Sequence, residues 1–449
     1  MDIIYTNQIN LIRKCKLFLN QNIKNKIEVD VSPLCFFTTW TNSLGKNVLC
    51  NLLKISDIKN FYVKIKNILS IGYQYDLNVY GELGFEKKKS MNLIVSYCDI
   101  KNFDKNGNFF DNYFRIGSNK LKNTIWFLIS LDHKLPEKFE KNILILKKKK
   151  FRGYSLLFFL KVFIENIFKF RFSFNKLDHY NCGDYVFSER INKLLFEKIN
   201  NYKIKNLLLN YEGIPFQNLL IKNMRKIQRK TKIYGYLHCA PWPLQTDLIF
   251  KKQSLDKLYV SGQDQKDVLV KYFLWNKKKI NVIPSLRFRK TRKKQFSGQI
   301  FVPYDLDNNN HYLEKFDKFL LNLPDKSINH LIPRIHPLKR NSKDHLRFSE
   351  KLEKIIKVRK KKFNNKKKSL SIFIGSATGI SIQAMEEGNT IIHLPSNDTL
   401  DVFTDKIWKN INVKVLNKGL FKYSIKKKNR LFYINRNSNN FKKYLLPVL

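Results

Sequence analysis

Short apolar stretches alternate with longer amphipathic ones along most of this chain, and that alternation limits the folds open to it. The short stretches are rich in β-branched and aromatic residues, as strands are, whereas the longer ones repeat apolar residues at the period of a helix. Alternating strands and helices form parallel sheets covered by helices. The sequence therefore predicts an α/β protein. The predicted strands of the first half cover residues 92–99, 123–130, 205–211, 231–238 and 257–262.

The same alternation restarts after the basic stretch RKTRKKQFSG at residues 289–298, which has the period of neither helix nor strand. A length of 449 residues also favours more than one domain, since domains commonly have about 100–200 residues. We expect two Rossmann-like domains, residues 1–288 and 299–449, joined by a linker at 289–298. Their parallel sheets are predicted to face each other across a cleft.

The chain is strongly basic, with 85 Lys and Arg against 36 Asp and Glu and a formal net charge of +49. Such a charge is typical of proteins that bind nucleic acid or anionic membranes. Lys and Asn are abundant even in loops, however, as a strongly AT-biased genome would impose, so solvated faces are the first interpretation and no specific nucleic acid is expected. The alternative is a non-enzymatic protein that binds RNA or a membrane through basic residues gathered on one face.

The cysteines form no CxxC pair, and the amino-terminal segment mixes charged and amide residues into its apolar run. We therefore expect neither a disulfide framework nor a structural zinc site, and a cytoplasmic location. The six cysteines are Cys15, Cys35, Cys50, Cys98, Cys182 and Cys239.

The most apolar window, residues 154–172, is interrupted by Lys161, Glu165 and Lys169, so it is not predicted to span a membrane. Two interpretations stay open. The window is either a core-facing helix of the first domain or an amphipathic helix lying on the inner face of the membrane, where the four lysines at 147–150 would meet anionic lipid.

Two motifs of the first half follow predicted strands. In KNLLLNYEGIPFQ a strand delivers Glu212 to the sheet edge, where a carboxylate can take the proton of an attacking hydroxyl; the alternative is a capping or surface carboxylate. In YGYLHCAPWP a strand ends at His238, which can contact a phosphate or help bind an acceptor, and Trp242 offers a face for a sugar ring. A core histidine beside a structural tryptophan is equally compatible. Cys239 beside His238 does not give four-ligand zinc spacing, so no metal is expected.

Two motifs of the second half suit an anion. RIHPLKR places Arg334 and His336 at a strand end, where cationic side chains can bind the negatively charged phosphate of a leaving nucleotide. In SIFIGSATGISIQAMEEG a strand runs into a turn of small residues, and a helix is predicted to start near Ser381 with its N–H groups toward phosphate oxygens. The motifs GxGxxG and GxxxxGK[ST] are absent, which disfavours dinucleotide cofactors and ATPase activity. The residues of this predicted phosphate turn are Gly375, Ser376, Thr378, Gly379 and Ser381.

In this order, the motifs WTNSLGKN (residues 40–47), YEGIPFQ, YGYLHCAPWP, KLYVSGQ, INVIPSLRF (residues 280–288), RIHP and GSATGISIQAMEEG resemble the GT-B glycosyltransferases of bacterial surface-carbohydrate synthesis, which build O-antigen, lipopolysaccharide and capsule. A looser similarity runs to sialyl- and Kdo-type transferases, whose acidic–acidic–Gly, His-Pro and Ser-Ser/Thr motifs occur in this order. The fold that the resemblance implies is α/β of the GT-B type.

The resemblance implies that Glu212 activates the acceptor and that His336 and Pro337 contact the donor nucleotide. It places Ser376 and Thr378 at the donor phosphate, and Ser43 is assigned to the acceptor side. Two positions depart from the family pattern. The first acidic position is Tyr211, and Gln383 stands where many GT-B enzymes have a glutamate that holds ribose hydroxyls, so the hydrogen bond is retained without the charge.

The predicted activity is transfer of a sugar from a nucleotide-activated donor to a lipid-linked or polysaccharide acceptor, with no metal and no cofactor. A related transferase with a cytidine-linked donor, carrying a Kdo- or sialic-like sugar or glycerol phosphate, is the alternative within this class.

Overall fold

The computed structural model describes residues 1–24, 77–130, 134–148, 182–249, 255–288, 298–303, 309–321, 331–336, 339–359, 370–374, 379–395, 401–434 and 440–449, without residues 87, 418 and 429 and with residues 160, 164 and 306 in isolation. The motif at residues 40–47 lies outside the described residues. So does the apolar window at residues 154–172, apart from Leu160 and Ile164.

The first sheet has the strand order β1-β6-β5-β2-β7-β8-β9-β10, and every neighbouring pair is parallel except β1 with β6. Its central strands are buried on both faces, which requires a nearly continuous apolar run such as Leu207, Leu208 and Leu209. The strands are β1 (Leu77–Tyr80), β2 (Ser90–Cys98), β5 (Thr124–Ser130), β6 (Ile143–Lys148), β7 (Lys203–Asn210), β8 (Lys232–Tyr236), β9 (Lys257–Val260) and β10 (Ile280–Val282).

A small hairpin lies between β2 and β5 in the chain. It consists of β3 (Phe110–Asp111) and β4 (Ile116–Gly117), which pair antiparallel. The helices of this part of the chain are α1 (Asp2–Lys24), α2 (Cys182–Ile199), α3 (Pro215–Ile227) and α4 (Gln263–Tyr272). Helix α3 starts with Pro215, a position where the missing N–H leaves no hydrogen bond unmade, and packs against α2.

The second sheet has the order β12-β11-β13-β14-β16-β15, with the first four strands parallel and the last two added as an antiparallel hairpin. Its strands are β11 (Gln299–Phe301), β12 (Ile332–Arg334), β13 (Leu370–Ile374), β14 (Thr390–Leu394), β15 (Ile411–Asn417) and β16 (Leu420–Ile425). Its helices are α5 (Asn309–Leu321), α6 (Lys343–Arg359) and α7 (Gly379–Glu386). The amphipathic patterns of α5 and α6 bury Phe316 and Phe348 in one core.

The two sheets confirm the predicted fold class, α/β with two Rossmann-like units of largely parallel strands. Strands β1, β3, β4, β6, β10, β15 and β16 were not predicted from the sequence. The lysine stretch at residues 147–150 begins inside β6, so its first two residues belong to the sheet. Among the described helices, none has both the length and the apolar character needed to cross a lipid bilayer.

Residues before the segment 289–298 form hydrogen bonds and ring contacts with residues after it. Trp408 Nε1 donates to the carbonyl of Pro243 at 3.0 Å, and Gln8 Nε2 donates to the carbonyl of Val402 at 2.7 Å. The carboxy-terminal helix α8 (Asn440–Tyr444) returns to the first sheet, where the ring of Phe441 lies 5.9 Å from that of Phe114. The domain division at residues 289–298 stays a prediction, because residues 289–297 lie outside the described part of the chain.

Candidate active site

Three neighbouring strands of the first sheet bring polar side chains to one place. Tyr97 lies near the end of β2, Glu212 follows β7 by two residues, and His238 follows β8 by two residues. Because β2, β7 and β8 are adjacent and parallel, their carboxyl ends meet at the same sheet edge, where open α/β sheets bind ligands. Two of the predicted site residues, Glu212 and His238, are thus brought into contact.

The carboxylate of Glu212 accepts three contacts. Tyr97 donates its hydroxyl to Oε2 at 3.1 Å, His238 Nε2 lies 3.1 Å from Oε1, and the thiol of Cys239 lies 3.6 Å from Oε1. The side chain of Glu212 is 28% exposed, whereas that of His238 is only 3% exposed. The carboxylate therefore faces the opening of the site, with the imidazole buried behind it.

The backbone that carries Glu212 is held by the first turn of α3. Gln217 accepts the N–H of Glu212 at 2.8 Å and donates to the carbonyl of Asn210 at 2.7 Å, while Asn218 donates to the carbonyl of Gly213 at 2.6 Å. Gly213 has φ +75° and packs against Asp247, whose carbonyl oxygen would be 2.7 Å from an added Cβ. The cap position of α3 is Ile214, so Glu212 is not the capping residue of that helix.

His238 is fixed by an aromatic contact that sequence reasoning missed. The ring of Tyr113 meets the imidazole edge-on, with centroids 4.7 Å apart. Tyr113 lies in the turn between β3 and β4, and Asp111 holds this turn by accepting the N–H groups of Tyr113 at 2.7 Å and Phe114 at 2.6 Å. The small hairpin thus closes one side of the site.

The protonation states follow from burial and from the mutual contacts. Burial alone would raise the pKa of Glu212, but the attraction of His238 and hydrogen bonds from His238, Tyr97 and Cys239 outweigh it, so the pKa lies below its ordinary value. Burial lowers the pKa of His238, and the opposing attraction of Glu212 does not reverse this. At neutral pH an ionised carboxylate therefore accepts a hydrogen bond from a neutral imidazole.

The neutral imidazole donates through Nε2, which leaves Nδ1 as the acceptor. Nδ1 is buried and makes no hydrogen bond with any described residue. Burial and the charge of Glu212 raise the pKa of the Cys239 thiol, so the sulfur keeps its proton.

Glu212, His238 and Cys239 also have the chemistry of metal ligands. Their ligand atoms lie within 4.8 Å of one another. In the described part of the chain, no other three His, Cys, Asp or Glu residues come so close together. Carboxylate, imidazole and thiolate are all zinc ligands, and three protein ligands would leave a position open for water or substrate. Metal binding here would require loss of the Cys239 proton.

The second sheet contributes the start of α7. A Cβ built on Gly379 would lie 3.4 Å from the Cβ of Ala240 and 3.9 Å from Cζ of Phe288. Ala240 directly follows Cys239, so the predicted phosphate-binding helix begins beside the loop that holds His238. The helix begins at Gly379, two residues before the predicted start.

Other predicted residues of the second half have varied surroundings. His336 follows β12, and burial together with the nearby charges of Lys339, Arg287 and His345 lowers its pKa. Arg334 Nη1 donates to Gln299 Oε1 at 2.8 Å, and its guanidinium lies over the ring of Phe301. Both contacts are with β11 of the second sheet. Ser381 and Gln383 are buried in α7, and Gln383 Nε2 donates to Glu387 at 3.2 Å.

Trp242 is half-buried in the loop after β8. Pro337, Gly375, Ser376, Thr378 and Ser43 lie outside the described residues.

No protein-family model matches this chain, and no curated protein sequence matches it. Among solved structures, the chain is similar to a glycosyltransferase from Rickettsia africae ESF-5, with 12% sequence identity and a TM-score of 0.31 over 69% of this chain and 86% of that chain.

Proposed function

We propose that this chain is a glycosyltransferase that moves a sugar from a nucleotide donor to a hydroxyl of a surface polysaccharide or lipopolysaccharide acceptor. The observation that carries the proposal is the ionised carboxylate of Glu212, partly exposed at the carboxyl edge of a largely parallel sheet and held by three neighbouring side chains. The start of α7, in the second half of the chain, lies beside the same loop.

In the proposed reaction, the acceptor hydroxyl attacks the anomeric carbon of the donor sugar. Its proton passes to Glu212, the bond from the anomeric carbon to the donor phosphate breaks, and the phosphate leaves with the electron pair. A carboxylate with a lowered pKa is ionised at neutral pH and ready to accept that proton. Direct displacement of this kind inverts the anomeric configuration.

His238 is proposed to act through Glu212. Its imidazole is almost fully buried and donates to Oε1, so it orients the carboxylate and keeps it ionised. On the acceptor side, the proposal also includes Trp242, as a face for a sugar ring, and Ser43. A lipid-linked acceptor would place the enzyme at the inner face of the membrane.

The donor is proposed to sit against the second half, with its phosphate at the start of α7. Helix N–H groups and the helix dipole favour anions there, and His336 is close enough to Arg287 for that charge to lower its pKa. Catalysis would then come from positioning and from stabilisation of the departing phosphate.

Thermal-shift measurements with CMP, UDP, GDP and TDP test the proposal. We expect one nucleotide to raise the melting temperature, because a ligand that binds only the folded state stabilises it. A response to CMP rather than UDP would favour the cytidine-linked alternative. No response to any of the four would contradict transfer from a nucleotide sugar.

The proposal includes metal independence, which treatment with EDTA tests. Turnover should persist after chelation, since Glu212 must stay free to accept a proton. Loss of turnover on chelation, with recovery on adding Zn²⁺, would instead assign Glu212, His238 and Cys239 to a metal centre.

A further inference from the structure

The segment that follows β10 leads from the first sheet toward the second half of the chain, and its backbone is fixed by β8 and by the carboxy-terminal segment. Ser285 donates its N–H to the carbonyl of Tyr433 at 2.8 Å, and Leu286 donates its N–H to the hydroxyl of Tyr236 at 2.9 Å. The N–H of Phe288 is accepted by Ser285 Oγ at 2.9 Å. Arg287, between these anchored residues, is exposed.

The guanidinium of Arg287 contacts two aromatic rings. It is 4.9 Å from the ring centroid of Tyr113 and 5.0 Å from that of Phe288. Cation–π contacts of this kind restrict the side chain, and the guanidinium N–H groups can still donate hydrogen bonds. Within the described part of the chain, no carboxylate forms an ion pair with Arg287 and no acceptor is bonded to its guanidinium.

Both of these rings belong to the candidate site. Tyr113 packs on His238, and Phe288 would lie 3.9 Å from a Cβ on Gly379, at the start of α7. The charge of Arg287 also acts on both halves of the chain, since it contributes to lowering the pKa of His238 and of His336. The cation therefore contacts one ring that packs on His238 and another that lies near the start of the helix proposed to receive the donor phosphate.

We infer that Arg287 binds the phosphate of the nucleotide and stabilises it as it leaves. This inference rests on the proposed function and adds a residue to it. A guanidinium presents paired N–H donors that match phosphate oxygens, and these charge-assisted bonds strengthen as the phosphate gains charge during bond cleavage. The ligand class is a nucleoside mono- or diphosphate.

Isothermal titration tests the inference with Arg287→Gln, Arg287→Lys and the wild type. The probes are CMP, UDP, GDP and TDP, each compared with its nucleoside. Arg287→Gln should weaken binding of the nucleotide that responds by about tenfold or more and leave nucleoside binding unchanged, since a hydrogen-bonded charge is lost only at the phosphate. Arg287→Lys should recover part of that loss, because it keeps the charge without the planar fork.

Arg229→Gln is the matched control. Arg229 is exposed in the turn before β8, at the opposite edge of the first sheet, and its replacement changes the net charge equally. It should alter nucleotide affinity less than twofold.

Arg287→Gln that binds the nucleotide as tightly as wild type would overturn the inference and leave the proposed function standing. The inference would also fail if Arg287→Gln lost nucleotide and nucleoside binding together, or if Arg229→Gln lost as much. Wild-type protein that binds none of the four nucleotides would overturn the proposed function itself.

Discussion

Glu212 is ionised and restrained, two properties that a general base requires together. Tyr97 and His238 each hold one carboxylate oxygen, and the backbone is tied to α3 through Gln217. The lowered pKa makes Glu212 a weaker base than a free glutamate but keeps it deprotonated over the neutral range. Because its pKa is depressed in the folded state, Glu212 contributes stability above its ordinary pKa that is lost as the pH falls through the depressed value.

Replacing Glu212 with Gln should reduce turnover by about 10²- to 10⁴-fold, because the amide keeps the shape but cannot accept the proton. Nucleotide affinity should stay close to wild type. Turnover assays and titration calorimetry measure the two quantities separately. Glu197→Gln is a suitable control, since Glu197 is half exposed and forms an ion pair with Lys193 on the surface of α2. Retained turnover in Glu212→Gln would remove the base from the mechanism.

Removing the hydroxyl of Tyr97 should shift the pH dependence of activity. That hydroxyl donates to Glu212 and contributes to lowering its pKa, so Tyr97→Phe should raise the pKa of the carboxylate. The acidic limb of kcat/KM would then move to higher pH, while activity near pH 8 changes little. An acidic limb that stays in place would show that Glu212 does not govern it.

At the scale of elements, the β3–β4 hairpin depends on one buried acid. Asp111 is fully buried, and burial raises its pKa to about 6 although the N–H groups of Tyr113 and Phe114 oppose the shift. A pKa raised in the folded state means that Asp111 contributes stability below its ordinary value of 3.8, which is lost as the pH rises through about 6.

The wild type should therefore lose stability as Asp111 ionises, whereas Asp111→Asn should not. The free energy of unfolding of the variant, relative to that of wild type, should increase as the pH rises from 4 to 8. The size of the change is on the order of 3 kcal/mol, from the tabulated free energy per pKa unit. Urea denaturation at both pH values measures it. The asparagine keeps an oxygen for the two N–H groups, so a variant whose stability relative to wild type does not vary with pH would contradict the raised pKa of Asp111.

At the scale of the whole molecule, the segment at residues 430–433 fastens the carboxy-terminal part to β9 and α4. Arg430 Nε pairs with Asp264 at 3.1 Å, and the N–H of Phe432 is accepted by Glu386 at 3.0 Å. Gly262 lets this segment approach, since an added Cβ would lie 1.9 Å from the carbonyl oxygen of Leu431.

Gly262→Ala should therefore lower the free energy of unfolding by about 1–3 kcal/mol or more, as overpacking does, because the clashing atom is backbone and cannot rotate away. Gly379→Ala is the comparison, since its added Cβ meets nothing closer than 3.4 Å. Urea denaturation of both variants checks the difference. Equal stability of Gly262→Ala and wild type would mean that the segment does not pack as described.

The sequence predicted some residues of the candidate site and not others. Glu212 and His238 were found because each follows an apolar strand directly, and Tyr97 carries the same signal at the end of β2. Tyr113 could not be found, because its contact with His238 exists only once the β3–β4 hairpin folds over the sheet edge. Arg287 is one of 85 basic residues, so its identity alone carried no information.

The sequence by itself determined where strands β2, β5, β7, β8 and β9 and their carboxyl ends lie, since burial on both faces demands a continuous apolar run and is encoded locally. Only the tertiary structure decided that β2, β7 and β8 are neighbours and that the start of α7 lies beside Ala240. The physical reason is that hydrophobic burial has no direction, so many strand orders would bury the same side chains. The choice among them depends on long-range packing, which no single segment contains.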